Sequence, residues 1–142
     1  MALGDTTQFQ EAKAYMLDGG WEAADDIKVA LITNAVVPTA GDTTPALTDY
    51  TECSAGGSYS AGGISIGNYG TCVSQTAGAA KFTSATNPSW AQQAGSPTNA
   101  YYALIYHVAS GQAIGFVDLA GPFSIVTGTL TLNWNASGII TW

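Results

Sequence analysis

The chain has 142 residues, of which 46% are hydrophobic and only 9% are charged, against roughly 25% charged residues in ordinary soluble domains. Ten acidic residues and three lysines, with no arginine, give a net charge of −7. This balance excludes the cationic surface that nucleic acid or an anionic membrane requires. We therefore expect neither as a partner, and a single domain over residues 1–142.

The first twenty residues are predicted to form an arm followed by one short helix. Thr7 and Gln10 have the spacing of a capping box, in which two side chains satisfy free backbone N–H groups at a helix start. Apolar residues at positions 9–17 recur loosely at helical spacing, and the glycine pair at positions 19–20 ends the pattern. We expect about three turns of helix here and a β-sandwich over residues 21–142.

The middle of the chain alternates short strand-like segments with glycine- or proline-rich breaks. Residues 26–33 are rich in β-branched side chains and predict a strand, and residues 34–49 predict a long loop suited to an interaction. Residues 100–108 form the longest apolar run and predict a central strand, against which residues 113–119 pair through a tight turn. Shorter strands are predicted at residues 50–53, from residue 64, at 71–74 and at 79–83.

The C-terminal residues 129–142 predict a closing hairpin. Leu130, Leu132 and Trp134 alternate with polar residues, which is typical of a strand with one buried face. Residues 135–138 supply turn chemistry, and an apolar run then continues to the last residue. The count of short strands and the turn spacing predict an all-β fold, an antiparallel β-sandwich of jelly-roll type with one short N-terminal helix.

Candidate catalytic groups are few. His107 is the only histidine, and a catalytic triad would need a serine such as Ser110 and an acid such as Asp118 beside it. A glycosidase would need two carboxylates at a defined separation, and nothing in the sequence pairs Asp118 with a second one. The other carboxylates that could serve are Asp25, Asp26, Asp49 and Glu52. We expect His107 to pack or hydrogen-bond on a strand, and no enzyme activity.

Metal binding has little support in the sequence. Asp25 and Asp26 could offer oxygen ligands to calcium, but acids before a strand are more simply solvated loop residues. Cys53 and Cys72 are the only cysteines, and their spacing matches no zinc motif, since only His107 is available as a further ligand. Two free thiols and one disulfide both stay open. We expect no metal and no cofactor.

Aromatic residues suggest binding surfaces. The chain has seven tyrosines and four tryptophans. Such rings are enriched at protein interfaces, and on a jelly roll they can also stack on sugars. A carbohydrate-binding module is therefore an alternative function.

The order of segments along the chain is itself a pattern. It runs AKAYMLDGG, DDIKVALITN, a glycine-rich stretch, NPSW, AYYALIYHVASGQAIGFVDLAG and GTLTLNWNASGIITW, covering roughly residues 12–142. This order resembles small structural proteins of tailed bacteriophages, of the capsid cement or decoration type, many of which are jelly rolls in dimers or trimers. The resemblance implies a homo-dimer or homo-trimer on the capsid surface that bridges subunits of the major capsid protein. It implies no catalytic residues.

The resemblance directs attention to the two ends of the chain. A terminal tryptophan gains little unless the core or a neighbouring subunit covers it, so we expect intersubunit contacts from the arm, the helix and the C-terminus. The candidate contact residues are Leu3, Phe9, Tyr15, Trp21, Ile140 and Trp142. No secretion signal is evident at the N-terminus, which agrees with virion assembly in the host cytoplasm. The alternative becomes a carbohydrate-binding module of a phage tail or baseplate.

Overall fold

The structure is a computed structural model that describes residues 5–142, except for the side chain of Thr76. Leu3, one of the predicted contact residues, lies outside the described residues. The fold is mostly β, with 37% strand and 9% helix, which confirms the predicted all-β class. The strands are β1 (Thr7–Gln8), β2 (Asp26–Ile32), β3 (Ile64–Asn68), β4 (Val73–Thr76), β5 (Ala79–Phe82), β6 (Ser89–Trp90), β7 (Ala100–His107), β8 (Ala113–Phe123), β9 (Leu130–Thr131) and β10 (Ile140–Thr141). The helices are α1 (Ala12–Leu17) and α2 (Tyr69–Cys72), and Leu47–Asp49 forms a 3₁₀ turn.

The main sheet is antiparallel and has the strand order β1-β8-β7-β2-β3. Strand β7 lies in its middle, as the long apolar run predicts. Ala103, Leu104 and Ile105 are all fully buried, and successive residues of a strand point to opposite faces. Both faces of the sheet are therefore covered at its centre. Gly111, with φ of 75°, makes the predicted tight turn into β8.

The predicted C-terminal hairpin is wrong, because its two strands pair with different partners. Strand β9 pairs with β6, and β10 pairs with β5 at the edge of a three-stranded sheet of order β10-β5-β4. Leu130 lies opposite the buried Trp90, and Ile140 lies opposite the buried Phe82. Each short strand thus pairs where its apolar residue is buried against an aromatic ring. The predicted alternation holds, since Leu132 is buried and its neighbour Asn133 is exposed.

Two further local predictions, the N-terminal helix cap and the strand at residues 71–74, are also wrong. Thr7 lies in β1 opposite Phe116 and caps no helix, and α1 spans only six residues with no side-chain cap at Glu11. The strand predicted at residues 71–74 begins instead as α2. There the Thr71 hydroxyl donates to the carbonyl of Asn68 at 2.8 Å and accepts its N–H at 3.1 Å. Such local hydrogen bonds compete with a sheet ladder and favour a turn of helix.

Candidate interaction surfaces

The five predicted contact residues within the described part fall into two groups. Phe9, Trp21 and Ile140 are at most 8% exposed and belong to the chain's own core. Tyr15 and Trp142 are partly exposed and pack against that core. In the isolated chain, therefore, only Tyr15 and Trp142 of these five offer substantial accessible surface to a partner.

Phe9 shows why the N-terminal segment is held to the domain. Its ring is fully buried, with the Tyr50 ring centroid at 6.3 Å and the Phe116 ring centroid at 5.4 Å. Its backbone N–H donates to the carbonyl of Ile114 at 3.1 Å, which extends the contact that β1 makes with β8. The segment from Thr7 to Phe9 is therefore an edge of the main sheet, whereas the sequence predicts a helix cap at Thr7 and a helix from Phe9.

An apolar groove of about 340 Å³ opens between α1 and the β10-β5-β4 sheet. We call it the helix groove. Leu17, at the end of α1, is 84% exposed, and an exposed apolar patch of this kind often marks an interaction site. The lining residues are Lys13, Met16, Leu17, Tyr69, Val73, Ala80 and Trp142.

Trp142 forms one wall of the helix groove and is fixed at both its backbone and its ring. Its backbone N–H donates to the carbonyl of Ala80 at 3.0 Å, and its indole Nε1 donates to Gln8 Oε1 at 2.9 Å. The Nζ of Lys13 lies 5.8 Å from the centroid of the indole, within the range of a cation–π contact. Lys13 forms no salt bridge with the described residues. The groove therefore carries one positive charge at its rim.

A second exposed apolar feature lies in the long loop after β2. Val36 and Val37 are 45% and 53% exposed, and they line a shallow depression together with Asp42 and Asp49. We call these four residues the loop patch. Partial burial raises the pKa of Asp42, but hydrogen bonds from Thr39 and from the Tyr50 hydroxyl outweigh this effect and lower it overall. The valines thus sit beside a carboxylate that is ionised at neutral pH.

The structure brings His107 together with Ser110 and Asp25, and not with Asp118. His107 Nδ1 lies 2.8 Å from Ser110 Oγ, and Nε2 lies 2.9 Å from Asp25 Oδ2. The imidazole is 1% exposed and stacks on the indole of Trp21. A serine, a histidine and an acid are therefore in hydrogen-bonding contact, a constellation that hydrolases use for nucleophilic attack.

The hydrogen bonds around Ser110 favour a structural role for this constellation. The backbone N–H of Ser110 donates to His107 Nδ1 at 3.2 Å, and the N–H of Gln112 donates to Ser110 Oγ at 3.3 Å. Gly111 N–H donates to the carbonyl of His107. Each of these N–H groups therefore closes the turn between β7 and β8. The three grooves described for this chain do not include Ser110 among their lining residues.

The sequence also contains a literal GxSxG match at positions 63–67, which the sequence analysis misses. In hydrolases this motif places the serine on a sharp turn between a strand and a helix. Here Ser65 lies within β3, and its hydroxyl donates to Asp26 Oδ1 at 2.5 Å. The match is therefore part of the sheet and not a nucleophile elbow.

The remaining candidate carboxylates have local partners. Asp118 is exposed and its Oδ1 accepts the N–H of Ala120 at 2.8 Å. Glu52 Oε1 accepts the Tyr59 hydroxyl and the Gly62 N–H, each at 2.6 Å. Within residues 5–142, no group of three or more His, Cys, Asp or Glu side chains is arranged to hold a metal ion.

The two cysteines are free and buried. Burial raises the pKa of the Cys53 thiol to about 11, with a further contribution from the charge of Glu52. Burial likewise raises the pKa of the Cys72 thiol to about 11. Of the two states that the sequence leaves open, the structure shows the free thiols.

The sequence analysis predicts an interaction for the loop of residues 34–49 and for Trp142, but it does not single out Lys13, Leu17, Val36 or Val37, although signals for them exist. Lys13 and Leu17 are four positions apart in a predicted helix, which places them on one face. Val36 and Val37 are adjacent apolar residues in a predicted loop, where solvent exposure is the default.

Comparisons with known protein families, with curated proteins and with solved structures give no match to this chain. In the described part of the chain, no helix is long and apolar enough to cross a membrane.

Proposed function

We propose that this chain is a structural protein of a tailed-phage virion, a capsid cement protein that binds the outside of the assembled capsid and bridges major capsid protein subunits. The order of segments along the chain is the source of this proposal. The observation that carries it is the presence of two surfaces with exposed apolar residues, the helix groove and the loop patch, on a chain with only 9% charged residues. Such surfaces favour a function by association.

On a capsid lattice, a low affinity of each individual contact is sufficient. Many copies bind the same shell, so weak contacts act together and the overall affinity exceeds that of one copy. A surface with few long charged side chains suits this role, because each contact then costs little charge desolvation. The low lysine content and the net charge of −7 favour neutral or basic patches on the shell.

The proposal also includes the jelly-roll arrangement and the absence of catalysis. The antiparallel pairing throughout the five-, three- and two-stranded sheets supports the first. The second is supported by the local hydrogen bonds that engage the His107, Ser110, Asp118 and Glu52 side chains.

The direct test is binding of the purified chain to capsids that lack it. Co-sedimentation should show saturable binding, and decorated capsids should lose their contents at a higher temperature than bare ones. The rival use of the helix groove is stacking of a sugar on Trp142, as in a carbohydrate-binding module. Binding to a glycan array that Trp142→Ala abolishes, together with no binding to capsids, would replace the cement proposal by that one.

A further inference from the structure

We propose that strand β4 binds an extended segment of the shell protein, which pairs with the free edge of β4 as a fourth strand and directs an apolar side chain toward the helix groove. This inference rests on the proposed function, because it names the kind of segment that the chain recognises on the shell. It is tested on the purified chain with a synthetic peptide and without capsids, so the two proposals can fail separately.

The hydrogen bonds of the three-stranded sheet show which way the backbone of β4 faces. The carbonyls of Ala80 and Phe82 in β5 accept N–H groups from the C-terminal segment, so these two residues direct their backbone groups toward β10. Hydrogen-bonded and non-hydrogen-bonded pairs alternate along an antiparallel ladder. Val73 and Gln75, which lie opposite Phe82 and Ala80, therefore direct their carbonyls away from the sheet, and Gln75 directs its N–H the same way.

The backbone groups at this outer edge are available to a partner. The N–H of Val73 donates to the carbonyl of Tyr69 and completes α2. The carbonyl of Val73 and both backbone groups of Gln75 have no hydrogen-bond partner among the described residues, and both residues are exposed. Donors and acceptors at strand spacing are matched by another extended backbone, as in peptide recognition by strand addition.

Strand β4 lacks the features that commonly protect an exposed edge. Its four residues, Val73–Thr76, include no charged residue and no proline, and it keeps a regular register with β5 along its whole length. Proteins usually block such edges with lysine, proline or a bulge. The length of β4 limits the pairing to a short segment.

The free edge of β4 adjoins the helix groove. Val73 and Gln75 lie on one face of the sheet together with Ala80 and Trp142, and three of these four residues, all but Gln75, line the groove. A residue opposite Gln75 on an added strand points to the same face. An apolar side chain at that position would lie beside Val73, which is 37% exposed, and would remove apolar area from water.

The charge of the chain favours a foreign segment over a second copy. Two copies with a net charge of −7 each repel one another, whereas a segment with a net positive charge is attracted. The segment that fits is therefore extended, apolar on one face and neutral or basic.

A nuclear magnetic resonance titration of the full chain tests this site. The probe is a short peptide of alternating threonine and valine with a lysine at each end and both termini blocked. We expect the peptide to shift the amide resonance of Gln75 and to slow hydrogen exchange of its N–H. A peptide of the same sequence with a fully N-methylated backbone has no N–H donors, so it should produce neither effect.

Two substitutions of one residue separate the backbone contact from the side chain. Gln75→Pro removes the outward N–H and leaves the bonds to β5 intact, because proline is tolerated where the N–H of an edge strand faces solvent. Gln75→Ala is the matched control, since it keeps the N–H. We expect Gln75→Pro to weaken peptide binding about tenfold and Gln75→Ala less than about twofold. Circular dichroism checks that both variants keep the fold.

The site is excluded if the peptide leaves the Gln75 amide unchanged at its highest soluble concentration. Equal shifts from the N-methylated peptide, or equal affinities of the two folded variants, would also overturn the proposal. Shifts of Gln75 when the chain is concentrated without peptide would show that a second copy occupies the edge, which contradicts the assignment to a shell segment. Peptide binding without capsid binding would leave the strand-addition site standing and remove the cement function.

Discussion

The indole of Trp21 lies parallel to the imidazole of His107, with ring centroids 4.4 Å apart and an angle of 6° between the planes. Both rings are anchored to the turn between β7 and β8. Trp21 Nε1 donates to Gln112 Oε1 at 2.8 Å, and His107 Nδ1 contacts Ser110 Oγ at 2.8 Å. The stack therefore holds the segment between α1 and β2 against one end of the main sheet, and Asp25 completes the assembly from that segment.

The carboxylate of Asp25 should make the free energy of unfolding depend on pH in the acid range. The N–H of Glu22 and the His107 ring lower the pKa of Asp25. A carboxylate whose pKa is lower in the folded state stabilises that state above its ordinary pKa, and the stabilisation is lost as pH falls through the folded value. We expect the wild-type free energy of unfolding to decrease on acidification below about pH 4, and Asp25→Asn to have a flatter profile.

Urea denaturation across this pH range measures both profiles. Asp118→Asn is the matched control, because Asp118 is an exposed aspartate with a single backbone N–H partner, and it should keep the wild-type profile. An Asp25→Asn variant that keeps the full acid-dependent loss would contradict the assignment.

The buried cysteines should resist alkylation in the folded chain. A thiol pKa of about 11 leaves about a hundredfold less thiolate at pH 8 than the ordinary value of 9.0 would, and the thiolate is the reactive species. We expect iodoacetamide to modify Cys53 and Cys72 slowly in buffer and rapidly in guanidinium. Mass spectrometry without reductant should show two thiols, and a mass two hydrogens lower would indicate a disulfide and contradict the structure.

Two glycines with similar backbone angles should respond differently to alanine. Gly63 and Gly111 both have φ of 75°, where a Cβ costs about 1–2 kcal/mol. A Cβ at Gly63 would lie 1.8 Å from the carbonyl oxygen of Val29, whereas at Gly111 nothing lies within 4 Å. We expect Gly111→Ala to cost about 1–2 kcal/mol and Gly63→Ala more than about 4 kcal/mol, measured by urea denaturation. Similar losses would show that the approach of β3 to β2 differs from the one described.

Removal of Trp90 from the core and of Trp142 from the groove wall should destabilise the fold to different extents. Trp90 is 1% exposed, so Trp90→Ala should cost about 3–5 kcal/mol of unfolding free energy. Trp142 is partly exposed and holds one hydrogen bond to Gln8, so Trp142→Ala should cost less, about 1–3 kcal/mol. Guanidinium denaturation of both variants gives the comparison. A Trp142→Ala variant as unstable as Trp90→Ala would mean that the ring is a core element and not a groove wall.

The sequence predicts those parts of the fold that a local pattern specifies. The apolar run at residues 100–108 predicts the central strand β7, and the alternation at Leu130 and Leu132 predicts which side chains are buried. It fails where partners are distant or segments are very short. Strand β6 has two residues, and its pairing with β9 places Trp90 opposite Leu130, 40 positions away along the chain, which no local window contains. His107 and Asp25 are 82 positions apart, so their contact is likewise invisible to spacing.

Predicting which residues contact a partner has a second limit when only the sequence is used. The sequence-based choice of contact residues selects large apolar side chains near the chain ends. Large apolar side chains are also the ones that are most often buried in the core. Phe9, Trp21 and Ile140 are buried for this reason. The apolar residues left exposed are Leu17, at the end of a short helix, and the valine pair of the long loop. The exposure of Leu17 depends on α1 ending after six residues, which the sequence does not predict.

Whether this chain decorates a phage capsid is best tested by a cryo-electron microscopy reconstruction of capsids mixed with the purified chain. We expect density of this size repeated across the outside of the lattice and bridging major capsid protein subunits. An undecorated shell under saturating protein would contradict it.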